Sequence, residues 1–468
     1  MTDSFSLQAL VLAAGKGTRM KSTGAKVLHT AFELPLLEHV LRAVRVLAPE
    51  PLMVVLGHQA EAVEAAFAGR GLTFVRQEPQ LGTGHAVRLA AAEPSRHPQR
   101  ALLVIYGDLP LVRPETLTAL VETHHAQHAT ATLLTCVLDD PGAYGRVIRD
   151  EAGHVRRIVE ARDATPTERA VREINVGVYV FEVAALDRAL SRLENKNAQG
   201  ELYLTDAIAL LADEKGLVQA LRSDDPSESL GVNTLAELAQ AGEVLRARRV
   251  AELMSAGVVI ERPDTVSVGP DVEIAPEAVL RPFTLVEGGS VIETGARLGP
   301  FVRLVNCRVG TQAQILDHCL LRDSSVGPGA SVGPFAHVRP ESVIGAQARV
   351  GNFVELKKTQ LGEGSKAPHL SYLGDSAIGP RVNVGAGTIT CNYDGARKHP
   401  TRIEAGVFVG SNSTLVAPLT IGAGAYIGAG SVVTEDVPAD ALALGRARQV
   451  VKAGWAARRR ERLTREKG

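Results

Sequence analysis

The sequence predicts an α/β chain in two parts: a parallel sheet covered by helices, then a stacked parallel β-helix, with a helical arm between them. Three observations predict it. Apolar runs alternate with helical spacing near the start, a six-residue beat of branched aliphatics sets in at Val268, and a helical stretch at 234–255 separates the two patterns. The 468 residues exceed what one core fills; roughly 100–200 residues per domain gives two or three. The boundaries read as 1–233, 234–255 and 256–468.

In chain order, SLQALVLAAG (6–15), PLMVVLG (51–57), LTFVRQ (72–77) and RALLVIYGD (100–108) read as buried strands, because short apolar runs bounded by turn residues suit strands covered on both faces. Residues 35–48, 59–68 and 83–93 carry helical spacing. That alternation predicts a parallel sheet. Ligands bind such sheets beyond the carboxyl ends of the strands, so the residues just after each run are the candidates. The arm is TLAELAQAGEVLRARRVAELMS, 234–255.

Val268, Ile274, Leu280, Val286, Ile292, Leu298 and Leu304 fall six apart, and Val272, Ala278, Thr284, Ser290, Ala296 and Val302 place a small or short-branched residue four after each of the first six. Neither the helical period nor the strand period repeats at six. A hexad fits one flat face of a triangular coil, with the aliphatic and the small residue inward and Gly, Asn, Asp or Pro at the corner. Three hexads close a coil, and coils stack at about the 4.8 Å strand spacing. The beat resumes at Val326, Val332, Val338, Ile344, Val350 and Leu356, then at Ile378 and Val384, and again at Val409, Leu415, Ile421, Ile427 and Val433. Its breaks near 362–376 and 387–402 read as loops that leave the prism. Into them fall His369, Tyr372, Asn392, Tyr393 and Asp394, with Arg339, Lys357 and Asn383 on nearby coils. A bare hexad array serves equally as a spacer or an oligomerisation domain.

A net charge of -1 gives no reason to expect nucleic acid or a membrane surface as partner. The run RRRERLTREK from Arg458 reads as a solvated tail. No apolar stretch approaches the ~20 residues that span a bilayer, and the N-terminus lacks a signal peptide's basic and apolar regions. The expectation is a soluble, cytoplasmic protein. Cys136, Cys307, Cys319 and Cys391 show no metal spacing and read as reduced thiols.

The first strand runs into LAAGKGTRMKSTGAKVLH, 12–29. Gly15 and Gly17 let backbone N–H groups approach a phosphate, and Lys16, Arg19 and Lys26 bring the positive charge a triphosphate needs. The Walker A spacing is absent, and a lone GxG after a strand is equally a tight turn. LAAGKGTRM followed by KVLH resembles the signature of sugar-nucleotide pyrophosphorylases. QEPQLGTGHA (77–86), YGDLPL (106–111), YGRV (144–147), IVEARDA (158–164), EINVGVYVF (173–181) and GVNTLAEL (231–238) follow in order. With the hexad array behind them, the chain is similar over nearly its whole length to the bacterial bifunctional N-acetylglucosamine-1-phosphate uridyltransferases and glucosamine-1-phosphate N-acetyltransferases.

That resemblance implies a Rossmann-like nucleotidyltransferase domain, a helical arm and a left-handed parallel β-helix of hexapeptide repeats. It implies acetylation of glucosamine 1-phosphate by acetyl-CoA, then transfer of UMP from UTP to N-acetylglucosamine 1-phosphate with release of pyrophosphate. Asp108 and Asn233 would supply hard oxygen ligands to Mg²⁺, and Arg19 and Lys26 would stabilise the transition state. The UDP-N-acetylglucosamine site would comprise Leu12, Ala13, Ala14, Gly15, Lys26, Gln77, Gly82, Thr83, Tyr106, Gly107, Asp108, Gly145, Glu160, Asn175 and Asn233. Of these, Gln77, Gly82 and Thr83 would read the uracil, and Gly145, Glu160 and Asn175 the sugar. Ala25 stands where the family often has proline.

Moving an acetyl group from a thioester to an amine needs a base of near-neutral pKa, cations for the phosphate and donors for an oxyanion. GSKAPHLSYLGD, 364–375, resembles the family's catalytic loop. His369 is the candidate base, and Glu355 in the preceding coil the candidate to orient it; the resemblance implies His369 as base, Arg339, Lys357, Tyr372 and Asn383 on the sugar phosphate, and Ala386, Asn392, Tyr393, Ser411, Ala429 and Arg446 along acetyl-CoA. Pro368 stands where the family commonly has glycine. The family places these sites between subunits of a homotrimer, which flat prism faces suit. Two other readings stand beside this one: a single-activity nucleotidyltransferase whose β-helix only oligomerises or binds an effector, and a non-enzymatic assembly subunit. The His369 loop and the tail through Arg446 oppose the first; Asp108 and Asn233 oppose the second.

Overall fold

The structure, a computed structural model, describes residues 7–93 and 95–466; Ser6 of the first expected strand and Lys467 of the basic run lie outside the described residues. Two compact units divide the chain, Met1–Arg246 and Ala247–Gly468. Among the described residues no helix is long and apolar enough to cross a membrane.

In the first unit β1 (Leu7–Ala13), β2 (Leu52–Leu56), β3 (Thr73–Arg76), β4 (Ala101–Tyr106), β5 (Ala131–Val137), β6 (Glu173–Glu182) and β7 (Val218–Arg222) form one sheet in the order β7-β5-β6-β4-β1-β2-β3. The expected strands and the helices α1 (Leu36–Arg45), α2 (Ala60–Ala66) and α3 (Thr83–Ala91) fall inside the ranges read from sequence. Successive residues of β1 feed opposite cores: Ala9 and Val11 pack with Leu37 and Leu41 of α1, while Leu10 packs with Val87 and Ala90 of α3. Burial on both faces is why the strand reads as a continuous apolar run.

The expectation of a parallel sheet needs one correction. β1, β2, β3 and β4 are mutually parallel, as are β5 and β7, but β6 runs antiparallel to both β4 and β5. A parallel return from β5 requires a crossover element of a dozen or more residues, usually a helix. Here the chain between β5 and β6 holds the hairpin Arg146–Arg149 and Val155–Val159 and only a four-residue helix, Pro166–Arg169.

The helical stretch is a single helix, α4 (Leu235–Ser255), within which the division between the units falls. Ala241 joins Met20, Leu36 and Val232 in a first-unit cluster, and Val250 and Leu253 join the core of the second unit.

The second unit is a stack of three-faced coils. Among the described residues its strands form three sheets of 11, 10 and 9 strands; each pairs in parallel with the third strand that follows it as far as Thr414–Val416, and Tyr426–Ile427 pairs with Leu442–Ala443, the second after it. The inward residues stack in columns such as Val268, Val286, Leu304, Leu321, Val338, Leu356 and Leu373, every one of them fully buried. This is the architecture of hexapeptide repeats and is consistent with a left-handed parallel β-helix.

The first expected break, 362–376, is not a loop. Lys366–His369 and Tyr372–Gly374 are strands in register, and Ala367 and Leu373 point inward at 0% exposure. The beat of six loses count there because some faces span five residues, as from Leu356 to Leu361 and from Leu373 to Ile378, and because alanine fills one inward place. The second break is a real excursion. Val268 pairs with Val286, whereas Asn383 pairs with Phe408, and the extra chain forms a flap at 392–400 closed by a bridge between Tyr393 and Lys398.

Candidate active sites

β1 and β4 end side by side, and the backbone N–H of Gly107 donates to the carbonyl of Leu12 at 2.9 Å. Beyond those ends opens a cavity of about 440 Å³ lined, among the sequence candidates, by Leu12, Ala13, Ala14, Gly15, Lys26, Gln77, Gly82, Thr83, Tyr106 and Asp108. Lys26 Nζ donates to the Asp108 carboxylate and, at 3.1 Å, to Asn233 Oδ1. The approach of the Asn233 segment is built locally. Val232 N–H donates to the Asp108 carbonyl at 2.9 Å, and the Glu237 carboxylate accepts from the N–H groups of Asn233 and Thr234 at 2.7 and 2.8 Å. Two hard oxygens from distant parts of the chain therefore converge on one cation.

Gln77 is buried and its amide donates to the Gly82 carbonyl at 2.9 Å; Thr83 Oγ1 accepts from Leu204 N–H at 3.0 Å. Gly145, Glu160 and Asn175 are brought together, although they do not line the cavity. Asn175 N–H donates to the Gly145 carbonyl at 2.9 Å, its amide donates to Tyr179 Oη at 2.6 Å, and Thr205 Oγ1 donates to Glu160 at 3.1 Å. Burial pushes the Glu160 carboxyl above its ordinary range, with Asp206 and Asp163 adding to it; burial and then the Glu160 charge raise the Tyr106 phenol. Gly177 has φ 95°, and a Cβ there would sit 2.6 Å from the Tyr106 ring, so only glycine lets this strand hold the tyrosine. Arg19 is exposed on the turn Thr18–Met20 and does not line the cavity. Sequence reading misses Gln80, whose amide donates to the Ala14 carbonyl at 2.6 Å. Its place inside QEPQLGTGHA was the available signal.

In the second unit His369 ends its strand opposite Asn352 of the coil below, and its Nδ1 lies 2.8 Å from Asn352 Oδ1. Glu355, expected to orient His369, instead accepts from Arg339 Nη1 at 2.9 Å, because it lies past the corner on the next face. Tyr372 stands directly above Glu355 on that face. At its far edge Lys357 Nζ donates to both Asp375 oxygens at 2.9 and 3.0 Å, and the Asn392 amide donates to the same carboxylate. Burial would raise Asp375, but the Lys357 and Asn392 hydrogen bonds outweigh it and hold the carboxyl below its ordinary range. Sequence reading also misses Lys398 on the flap: the Lys357 ammonium beside it pushes its pKa down.

The remaining candidates extend this arrangement. Leu370, directly after His369, accepts from Gly387 N–H at 3.0 Å; Ala386 accepts from Asn412 at 2.7 Å and Ser411 from Gly430 at 2.8 Å. Ala386, Ser411 and Ala429 thus follow one edge of the prism upward from His369. Asn383 lies above Lys366 on the face before that edge. Tyr393 is exposed on the flap, and Arg446 is exposed in the chain after the last strand, Leu442–Ala443. One unit therefore presents the Lys26 ammonium beside paired oxygens at the end of its sheet; the other presents an imidazole at a corner, with cation–carboxylate pairs on the adjoining face.

Residues 9–197 match the MobA-like NTP transferase domain family, and residues 400–435 match the bacterial transferase hexapeptide (six repeats) family. Three relatives, each a bifunctional protein GlmU, are similar end to end. That of Heliobacterium modesticaldum is 46% identical over 96% of this chain and 98% of its own. The Koribacter versatilis protein is 45% identical over 100% of both chains, and the Trichlorobacter lovleyi protein 46% over 97% and 98%.

Proposed function

The chain belongs to the family of bifunctional GlmU proteins, and from that membership we propose which residues carry each of its two reactions. It is a bifunctional transferase of UDP-N-acetylglucosamine biosynthesis: the C-terminal unit acetylates glucosamine 1-phosphate with acetyl-CoA, and the N-terminal unit transfers UMP from UTP to the product.

In the C-terminal unit the sugar's ammonium loses a proton to the His369 imidazole. The free amine attacks the thioester carbonyl, the tetrahedral intermediate collapses, and the CoA thiolate leaves and takes up a proton. Arg339 and Lys357, with Lys398 beside them, hold the sugar phosphate; Tyr372 and Asn383 hold the ring. Acetyl-CoA lies along the edge marked by Ala386, Ser411 and Ala429, with Asn392, Tyr393 and Arg446 closing on it. The observation that supports this most is the corner itself, which sets His369 beside a face carrying Arg339 and Lys357 in defined ion pairs.

In the N-terminal unit a phosphate oxygen of N-acetylglucosamine 1-phosphate attacks the α-phosphorus of UTP, and pyrophosphate leaves. Backbone N–H groups from Gly15 onward, with Arg19 and Lys26, bind and neutralise the phosphates. Gln77, Gly82 and Thr83 position the uracil, and Gly145, Glu160 and Asn175 position the sugar behind Tyr106. The Asp108 and Asn233 oxygens already share one cation, the Lys26 ammonium, so the donor set fits Mg²⁺. Bound there, Mg²⁺ would offset charge developing on the phosphates.

We place the protein in the cytoplasm as a homotrimer. Half-exposed Ile389, Phe408, Tyr426 and Val432 on the outer faces of neighbouring coils support burial between copies. To test the assignments, the protein is incubated with glucosamine 1-phosphate, acetyl-CoA, UTP and Mg²⁺ while free thiol and pyrophosphate are followed together. His369→Ala should lower thiol release by about 10²–10⁴-fold and spare pyrophosphate release from supplied N-acetylglucosamine 1-phosphate. Asp108→Asn should do the reverse. Thiol release at the wild-type rate in His369→Ala would remove His369 as the base.

A further inference from the structure

We propose that Asn352 is a positioning residue for acetyl transfer: its amide oxygen holds the Nδ1–H of His369 and so selects the tautomer whose Nε2 lone pair can accept the amine's proton. The inference rests on the reading of His369 as the base. Neutral imidazole carries one N–H, and the nitrogen that bears it is not the nitrogen that acts as base. With Asn352 Oδ1 2.8 Å from Nδ1, the proton belongs on Nδ1 and the basic lone pair on Nε2. The opposite amide orientation would put the proton on Nε2 and silence it.

The coil enforces the contact. Asn352 and His369 are register partners in successive coils, and Leu370 N–H donates to the Asn352 carbonyl at 3.0 Å, locking the corner directly after the histidine. A Cβ on Gly351 would lie 1.7 Å from the Pro368 carbonyl oxygen, so the two strands approach as closely as the missing side chain allows. An amide also suits the task better than a carboxylate. It orients the ring without adding a negative charge that would hold the imidazolium and blunt release of the proton. The charged groups on the two strands are Arg349 below and Lys366 on His369's own strand, and Glu355 past the corner is engaged by Arg339.

The test compares Asn352→Leu, Asn352→Asp and His369→Ala, reading acetyl-transfer kinetics against pH and the nitrogen-15 shifts of the His369 ring. Asn352→Leu should lower kcat by about 10–100-fold, the scale on which a residue that orients a reacting group matters, with KM and uridylyl transfer little changed. Asn352→Asp should retain most of kcat and move the acid limb of the profile to higher pH, because a carboxylate favours the imidazolium. The wild-type ring should show Nδ1 protonated, and Asn352→Leu a mixture of tautomers. A protonated Nε2 in the wild type, or a leucine variant with unchanged ring shifts and kcat, overturns the proposal. Activity surviving in His369→Ala would instead remove the base assignment, while the ring shifts still decide whether Asn352 sets the tautomer.

Discussion

Ala25 is buried with φ -58° and ψ 130°, directly ahead of the turn Lys26–Leu28 that presents the Lys26 ammonium. Proline needs a φ near that value, so the alanine occupies a site already shaped for it. Ala25→Pro should stabilise the protein by about 0.4–1 kcal/mol by narrowing the unfolded ensemble. The rise would appear as a higher urea midpoint with uridylyl transfer retained, and a fall would mean that the ring does not fit. At this scale the motifs were legible because loop residues at strand ends keep their spacing whatever packs behind them. Pairing was less so. Glu355 was read in the right coil but for the wrong partner, because a sequence shows which coil a residue occupies and not which side of a corner its side chain leaves. Asn352, unremarked in the sequence, is the residue stacked beneath His369 once the five-residue faces are counted.

Among the elements, the strand Lys366–His369 is packed against the backbone of Gly351 in the coil below. A methyl on Gly351 meets the Pro368 backbone at 1.7 Å, and backbone cannot move aside as a flexible side chain can. Gly351→Ala should therefore part the two coils locally, costing about 1–3 kcal/mol, as overpacking does. Acetyl transfer should fall with it while uridylyl transfer stays intact, and both assays on one sample check this. The same coils explain why 362–376 looked like a loop: alanine replaces the aliphatic at 367 and the spacing shortens, yet every inward place is filled. The antiparallel β6 escaped notice for a related reason. An apolar run records burial on two faces but not direction, which is set by the connection that precedes it.

At the scale of the molecule, stability has an acid limb that geometry predicts. His124, on the helix Pro114–Ala126, is 4% exposed with Nδ1 3.1 Å from Thr132 Oγ1, and burial, aided by the neighbouring His125, pushes its pKa down to about 4. The folded pKa lies below the unfolded value of 6.5. Between those two values the unfolded chain binds a proton that the folded chain refuses, so stability is full above the unfolded value and falls on acidification. The loss is on the order of 3 kcal/mol by the time the folded pKa is reached. His124→Gln should flatten that limb in chemical-denaturation midpoints taken across the window; an unchanged slope would place the acid sensitivity elsewhere.

The flap at 392–400 leaves its coil and returns without disturbing those on either side. Ser376–Ile378 pairs in register with Thr401–Ile403, which pairs in turn with Leu419–Ile421. Insertions and deletions there are thus quarantined: descendants can lengthen, shorten or re-letter the segment that carries Lys398 and Tyr393, and inherit the scaffold unchanged. The letters of the flap and the architectural soundness of the coils are separately heritable in this half of the chain.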